Sequence, residues 1–177
     1  MYTPEEIKIA NSTSRSGGAT AIGKDGTIKA IVPIFVHKNV DKQCSILDYG
    51  AGKDAMHTKW LKKSGFKDVT AYDFGQNCIK GIHDPGAMAK QYDVVFASNV
   101  LNVNSSMTML KETLDQIYLS VKRGGKFICN YPSSPRKMNM NALELQKIIQ
   151  EKFGANVELV GGSKSAPLWQ VSKSFVN

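Results

Sequence analysis

Residues 44–74 read CSILDYGAGKDAMHTKWLKKSGFKDVTAYDF, and this stretch decides the predicted fold. The apolar run at 45–49 stops at the glycine turn 50–52, which is typical of a buried strand that ends in a tight loop. From residue 53 to 64, apolar residues recur every three to four positions between lysines. That period predicts a helix with one face packed on a sheet.

A second strand and an acidic residue complete this unit. Gly65 is predicted to close the helix, and residues 69–72 are predicted to form a strand that ends at Asp73. In nucleotide-binding α/β folds, an acid about 20 residues after the glycine turn accepts hydrogen bonds from ribose hydroxyls. Asp73 follows Gly52 by 21 residues, so the spacing fits a ligand that carries a ribose.

The glycine turn itself differs from a pyrophosphate-binding loop. Such a loop has the pattern GxGxxG, in which the third glycine lets the helix pack closely on the strand. Here Gly50 and Gly52 are followed by Lys53, Asp54 and Ala55, so the third glycine is missing. A pyrophosphate ligand is therefore disfavoured.

The turn resembles motif I of the class I S-adenosylmethionine-dependent methyltransferases, which is an acid followed by glycines at every second position. Asp48, Gly50 and Gly52 match that motif, whereas Asp54 stands where its third glycine is usual. The resemblance implies S-adenosyl-L-methionine as the cofactor, with the turn under its methionine part and Asp73 on its ribose hydroxyls. The cofactor-binding residues implied in this way are Asp48, Tyr49, Gly50, Ala51, Gly52, Asp73, Phe74, Ser98 and Asn99.

Two later segments resemble the same family in the expected order. Residues 92–99, YDVVFASN, are similar to its fourth strand, and residues 121–128, VKRGGKFI, are similar to the start of its fifth. The resemblance implies an α/β fold, a Rossmann-like three-layer sandwich, whose mostly parallel sheet has seven or six strands and an antiparallel C-terminal strand. No strand-like run occurs between Ile82 and Lys90. The family's third strand is either very short, around residues 87–89, or degenerate, so no residue is assigned to the adenine.

Polar residues follow the fourth-strand segment, at the edge where ligands bind in open α/β sheets. Ser98 and Asn99 are predicted at the site of methyl transfer, and Asn102 lies close to them in sequence. In the amino-methyltransferases of DNA and protein glutamine, Asn or Asp here precedes Pro-Pro, which Val100-Leu101 replaces. That difference weighs against methylation of adenine N6 or cytosine N4. The alternative is that Asn99 and Asn102 cap the next helix and bind loop carbonyls.

The N-terminal part is predicted to be an extension of a single domain. Residues 1–43 form this extension, and residues 44–177 form the Rossmann-like core. A short helix is predicted to begin at Thr3. The polar, glycine-rich stretch 11–20 is predicted to be a loop, either a lid over the site that includes Arg15 or a linker.

Two histidines are assigned no part in catalysis. His37 ends a predicted helix over residues 28–37, where the helix dipole alone favours a histidine. His83 and Asp84 are predicted to lie in a surface turn, because neighbours in sequence rarely face each other.

Length and composition bound the class of protein. A chain of 177 residues is the size of one domain. The cysteines Cys44, Cys78 and Cys129 lack metal-ligand spacing, so reduced thiols are expected rather than disulfides or a metal site. No apolar run is long enough to span a membrane, and a cytoplasmic protein without a membrane partner is expected. Oligomeric state is left open.

A formal net charge of +8 bears on the methyl acceptor, because a basic surface attracts phosphates. The lysines are scattered rather than clustered, which also fits a solubility role. Together with the polar loops around Arg15 and Arg136, the charge favours a phosphate-bearing acceptor, including nucleic acid, over a neutral metabolite. Two alternatives to methyl transfer stay open: a non-catalytic S-adenosylmethionine-binding protein, and a lyase that acts on the cofactor itself.

Overall fold

The computed structural model describes residues 2–10 and 27–175. Its short apolar strands alternate with amphipathic helices along most of the chain, and the strands form one mixed sheet. The strands are β1 (Ser45–Tyr49), β2 (Asp68–Tyr72), β3 (Tyr92–Ala97), β4 (Val121–Asn130), β5 (Glu158–Gly162) and β6 (Pro167–Ser172). The helices are α1 (residues 4–10), α2 (Ile31–Asn39), α3 (Met56–Lys63), α4 (Met107–Ser120) and α5 (Ala142–Phe153). The strand, glycine turn, helix and strand predicted from residues 44–74 are all present.

The strand order places four carboxyl ends at one edge of the sheet. The order is β2-β1-β3-β4-β6-β5. β1 pairs in parallel with β2 and β3, and β3 pairs in parallel with β4. β6 runs antiparallel to β4, and β5 runs antiparallel to β6. The carboxyl ends of β1 to β4 therefore meet at the edge where open α/β sheets bind their ligands.

Helices cover both faces of this sheet. Ile46 and Leu47 of β1 belong to opposite buried clusters, as the alternation of side chains along a strand requires. The cluster under α4 and α5 includes Leu47, Val95, Leu114, Phe127, Leu145 and Ile149. The cluster under α2 and α3 includes Val32, Val36, Ile46, Leu61, Val69 and Phe96. The result is the predicted arrangement of helices, sheet and helices.

The segment that connects β2 to β3 contains no strand, so the described residues form six strands rather than seven. Its regular parts are two single turns of 3₁₀-helix, Gly75–Asn77 and Ala87–Ala89, and an isolated bridge joins Lys80 to His83. Of the two predicted alternatives, a very short strand at 87–89 is therefore wrong, whereas a degenerate third strand agrees with the structure. The physical reason is local, because the N–H of Ala87 donates to the carbonyl of Asp84 and closes a turn.

A lysine links the last strand to the end of α4. The Nζ of Lys173, just after β6, donates to the carbonyl oxygens of Tyr118 at 2.8 Å and Val121 at 2.9 Å. The last carbonyls of a helix have no partner within the helix, so this buried ammonium satisfies them and complements the helix dipole. Burial lowers the pKa of Lys173 from its ordinary value.

The N-terminal helix packs beside the ligand-binding edge. Thr3 caps α1, because its Oγ1 accepts a hydrogen bond from the N–H of Glu6 at 3.1 Å. Tyr2 contacts the core through a 2.7 Å hydrogen bond between its hydroxyl and that of Thr113. The predicted lid or linker at 11–20 lies outside the described residues. None of the described helices is long and apolar enough to cross a lipid bilayer.

Candidate active site

The glycine turn after β1 crosses the end of β2. The N–H groups of Gly50 and Ala51 donate to the carbonyl of Tyr72 at 2.9 and 3.0 Å. Gly50 and Gly52 have φ values of 73° and 77°, a region that side-chain-bearing residues rarely adopt. A Cβ on Gly50 would also lie 2.6 Å from Cγ2 of Val100, just after β3. Conformation and packing therefore both require glycine at position 50.

Helix α3 begins shortly after the glycine turn, at Met56, and its N-terminus is uncapped. Ala55, the residue before the helix, has φ 44° and ψ 49° and provides no side-chain hydrogen bond to the first turn. The first N–H groups of a helix have no partner within it and attract negative charge. Burial lowers the pKa of His57 in this turn to about 4, so its imidazole is neutral near pH 7. The first turn of α3 therefore offers backbone N–H groups as hydrogen-bond donors to a carboxylate.

Asp48 lies beneath the turn and is 1% exposed. Its Oδ2 accepts a 2.7 Å hydrogen bond from the hydroxyl of Thr58 in α3. Burial, reinforced by the nearby Asp73 carboxylate, raises the pKa of Asp48 to about 7 against the opposing effect of hydrogen bonding to Thr58. A buried carboxylate of this kind would be stabilised in its charged form by a cation in the site.

Asp48→Asn is expected to raise stability at alkaline pH but not at acid pH. The pKa of Asp48 is about 7 in the folded chain and near 3.8 in an unfolded one, so the folded state binds more protons between about pH 4 and pH 7. Stability therefore falls as the pH rises through that window, and asparagine removes the fall. Urea unfolding should show a gain of roughly 2–4 kcal/mol at pH 8 and little gain at pH 4. Equal gains at both pH values would contradict the raised pKa.

Asp73, directly after β2, supports the turn from below. Its Oδ2 accepts from the N–H of Gly52 and its Oδ1 from the N–H of Phe74, both at 2.8 Å. Burial raises the pKa of Asp73, whereas these two N–H groups lower it. Each carboxylate oxygen has more than one acceptor position, so hydroxyl groups of a ribose can still donate to it.

His83 contacts the same turn, and the prediction that it lies in a surface turn is wrong. The side chain is 5% exposed, and its Nε2 lies 2.7 Å from the carbonyl oxygen of Gly52. Its Nδ1 accepts a 2.9 Å hydrogen bond from the N–H of Ile79. The sequence carried no signal for this contact, because the HDPG pattern around His83 is typical of an exposed turn.

At the neighbouring strands, Asn99 pairs with Asn130. The N–H of Asn99 donates to Oδ1 of Asn130, and Nδ2 of Asn130 donates to Oδ1 of Asn99, both at 2.8 Å. These bonds join the ends of β3 and β4 and hold Asn99 at φ 56°, a conformation that asparagine tolerates better than most residues. Asn130 was not predicted from the sequence. The Oγ of Ser98 is buried without a hydrogen-bond partner among the described residues.

A cleft of about 280 Å³ opens above the two asparagines. The described residues that line it are Lys29, Ala30, Ile31, Asn99, Asn130, Pro132, Ser133 and Ala166. Lys29 is the charged residue among them, and the remaining lining consists of amide, hydroxyl and apolar groups. The cleft is thus a candidate acceptor site at the same sheet edge as the glycine turn.

Three other predicted positions have different surroundings. The Tyr49 side chain points into the core, where its hydroxyl donates to Oε1 of Gln116 at 2.6 Å. Phe74 packs on Tyr2, with 5.1 Å between ring centroids. Asn102 donates through Nδ2 to the carbonyl of Pro135 at 2.9 Å, which agrees with the alternative that it binds a loop carbonyl. Ser106, not an asparagine, caps α4.

Comparison with known proteins identifies the family. The methyltransferase-domain family profile matches residues 21–155. No curated protein matches the chain in sequence. An S-adenosylmethionine-dependent methyltransferase from Bacteroides fragilis, solved with S-adenosyl-L-homocysteine, superposes with a TM-score of 0.62 at 11% identity over 98% of both chains.

Two further solved structures share the fold. The 1,6-didemethyltoxoflavin-N1-methyltransferase of Burkholderia thailandensis gives a TM-score of 0.63 at 14% identity, over 98% of this chain and 92% of that one. The ribosomal protein L11 methylase of Lactobacillus delbrueckii subsp. bulgaricus gives 0.52 at 17% identity, over 80% and 76%. The profile spans most of this chain, and the fold agrees with it. The chain therefore belongs to the methyltransferase-domain family, which confirms the predicted class of S-adenosylmethionine-dependent methyltransferases.

Proposed function

We propose that this sheet edge binds S-adenosylmethionine at the glycine turn and methylates an acceptor held in the cleft over Asn99 and Asn130. One observation carries the proposal. The turn and Asn99 follow adjacent strands, β1 and β3, and Val100, which directly follows Asn99, packs against Gly50. Cofactor and acceptor bound at these two places would be neighbours, as methyl transfer requires.

The residues present fit the cofactor in their donor and acceptor chemistry. Asp73 accepts hydrogen bonds and suits the ribose hydroxyls. The uncapped N-terminus of α3 donates hydrogen bonds and suits the methionine carboxylate. Asp48 is a buried carboxylate whose ionised form a cationic ligand would favour, and S-adenosylmethionine carries positive charge on its sulfonium and ammonium groups. We assign these three roles accordingly.

The cofactor supplies a methyl group on a sulfonium, which leaves as a neutral thioether. The chain's contribution is then to align the acceptor and to exclude water. The Asn99–Asn130 pair fixes the floor of the cleft, whereas Ser98, whose Oγ is buried, is not among the described residues that line it. The described lining contains no carboxylate or imidazole that could remove a proton. An acceptor atom that is already nucleophilic is therefore favoured.

We propose a phosphate-bearing acceptor, such as a nucleotide or a flexible nucleic acid. Lys29 in the cleft lining and the overall charge of +8 support it. Arg136 contributes less than its position in sequence suggested. Its guanidinium donates to the carbonyls of Pro132 and Ser165 and stacks 4.0 Å over the ring of Tyr131, so it is held within its loop. The cleft, at about 280 Å³, is smaller than the roughly 300–1,000 Å³ of typical ligand pockets, which favours a single ring over a duplex.

Methyl transfer into nucleic acid is expected to fall steeply with salt. Tritiated S-adenosylmethionine is incubated with DNA, RNA, protein extract and small-molecule extract at about 50 and 200 mM salt. Counterion release predicts that incorporation into nucleic acid drops strongly between these two conditions, while transfer to a neutral metabolite does not change. Label that appears in neutral small molecules alone would contradict the proposed acceptor.

Two variants and a product analysis sharpen this experiment. Lys29→Ala should reduce transfer to a phosphate-bearing acceptor, whereas Lys62→Ala, on the exposed end of α3, should not. S-adenosylhomocysteine as the product supports transfer. Homoserine lactone or methylthioadenosine would indicate a lyase, and tight binding without turnover would indicate a binding protein. Either of the last two results would overturn the proposal.

A further inference from the structure

We propose that His83 is a positioning residue that fixes the glycine turn in its cofactor-binding conformation. The inference rests on the proposed function, since it assigns the turn to the cofactor. His83 comes from the strandless segment between β2 and β3, for which the resemblance assigned no role. We base the inference on a set of hydrogen bonds around Gly52.

Gly52 is held from both sides of its Cα atom. The N–H of the peptide before it donates to Asp73 at 2.8 Å, and the carbonyl of the peptide after it lies 2.7 Å from Nε2 of His83. These two peptides define φ and ψ of Gly52. Glycine is the residue with the widest choice of φ and ψ, so it loses the most freedom when it is ordered. Two buried side chains therefore restrain one of the two glycines of the turn.

The hydrogen bonds also define which ring nitrogen carries the proton. The N–H of Ile79 can only donate, so Nδ1 of His83, 2.9 Å away, must accept and carries no hydrogen. The hydrogen of the neutral ring is then on Nε2, from which it donates to the carbonyl of Gly52. The bond from Ile79 fixes the orientation of the ring, and the ring holds the carbonyl of Gly52 at 2.7 Å, a shorter bond than the 3.2 Å one that this carbonyl accepts from the N–H of Ala55.

This arrangement gives the segment between β2 and β3 a structural role, which is to hold His83 against the glycine turn. The N–H of Asp84, next to His83, donates to the carbonyl of Ala71 in β2 at 2.9 Å and anchors the segment to the sheet edge. A turn that is already ordered before the ligand arrives binds more tightly, because binding does not have to supply the ordering free energy. His83 is thus expected to act on cofactor affinity, not on the methyl-transfer step itself.

Two substitutions separate positioning from a general structural role. Glutamine can place an amide N–H near the position of Nε2 and so keep the bond to Gly52, while asparagine can place an oxygen near Nδ1 and keep only the bond from Ile79. His83→Gln is expected to keep S-adenosylmethionine affinity within about twofold, and His83→Asn to weaken it about fivefold with kcat nearly unchanged. His37→Gln is the matched control. The His37 ring lies in the last turn of α2 and stacks on Trp60.

Three measurements can overturn the inference: cofactor affinity, NMR shifts of the His83 ring and amide exchange at Gly52. Equal affinity in wild type, His83→Gln and His83→Asn would show that the contact with Gly52 does not order the turn. Carbon and nitrogen NMR shifts of the His83 ring, measured without cofactor, should report hydrogen on Nε2, and hydrogen on Nδ1 would overturn the proposed bonds. Amide exchange at Gly52, also without cofactor, should be faster in His83→Asn than in His83→Gln. These cofactor-free measurements hold even if S-adenosylmethionine does not bind, so failure of the proposed function remains distinguishable.

Discussion

Gly50→Val is expected to abolish S-adenosylmethionine binding and to lower the free energy of unfolding by roughly 2–5 kcal/mol. A left-handed backbone costs a branched residue about 1–2 kcal/mol, and forcing atoms into a packed site costs about 1–3 kcal/mol more. Both costs apply here, because Gly50 has φ 73° and a Cβ would lie 2.6 Å from Cγ2 of Val100. The glycine pattern alone predicts a loss of binding in a protein that stays folded, because a branched side chain would block the backbone's approach to the ligand. The contact with Val100 adds the loss of stability.

Calorimetric titration and urea unfolding measure the two effects separately. A double variant, Gly50→Ala with Val100→Ala, removes the clash but keeps the unfavourable φ, so it should recover part of the stability and little of the affinity. Wild-type affinity in Gly50→Val would mean that the ligand binds elsewhere on the protein.

Asp73→Ala is expected to weaken S-adenosylmethionine binding by about 1.5–3 kcal/mol, which is a factor of roughly 10 to 150. The variant loses the predicted bonds to the ribose hydroxyls. It also loses the acceptors of the Gly52 and Phe74 N–H groups, so the turn is less ordered before binding. Asp73→Asn, which keeps one acceptor oxygen, should give an intermediate loss.

The control for Asp73 is Asp68→Ala, an exposed acid at the opposite end of β2. It removes the same charge from the same strand but lies away from the glycine turn, so affinity should stay unchanged. Calorimetry and melting shifts at millimolar cofactor measure all three variants. If wild-type protein shows neither heat nor a melting shift, the assignment of this edge to S-adenosylmethionine fails.

The sequence predicted those parts of the fold that local chemistry decides. Gly65, at φ 96°, closes α3 as predicted, since the N–H groups of Gly65 and Phe66 bond to the carbonyls of Lys62 and Leu61. The glycine turn and the acid after β2 were likewise readable, because their spacing along the chain reflects one strand, one helix and the next strand.

The remaining parts of the site depend on residues far apart in sequence. His83 reaches Gly52 across 31 positions, and Asn130 reaches Asn99 across 31 as well. Nothing in the residues around His83 distinguishes a buried ring from an exposed one. Asn130 is simply the last residue of β4, and its role follows from the parallel pairing of β4 with β3. Arg136 shows the converse, because a charge that the sequence placed beside a phosphate-bearing acceptor donates instead to the carbonyls of Pro132 and Ser165.

The position of β6 has a consequence for how the protein is made. β6 follows β5 along the chain but lies between β4 and β5 in the sheet, and Lys173 just after it satisfies the last carbonyls of α4. During synthesis, β5 has no strand to pair with, and the outer edge of β4 stays open, until the ribosome has released β6. An unpaired edge strand is prone to pairing with other chains. The nascent protein therefore still has an open edge on β4 after the glycine turn and both asparagines have emerged, until β6 arrives.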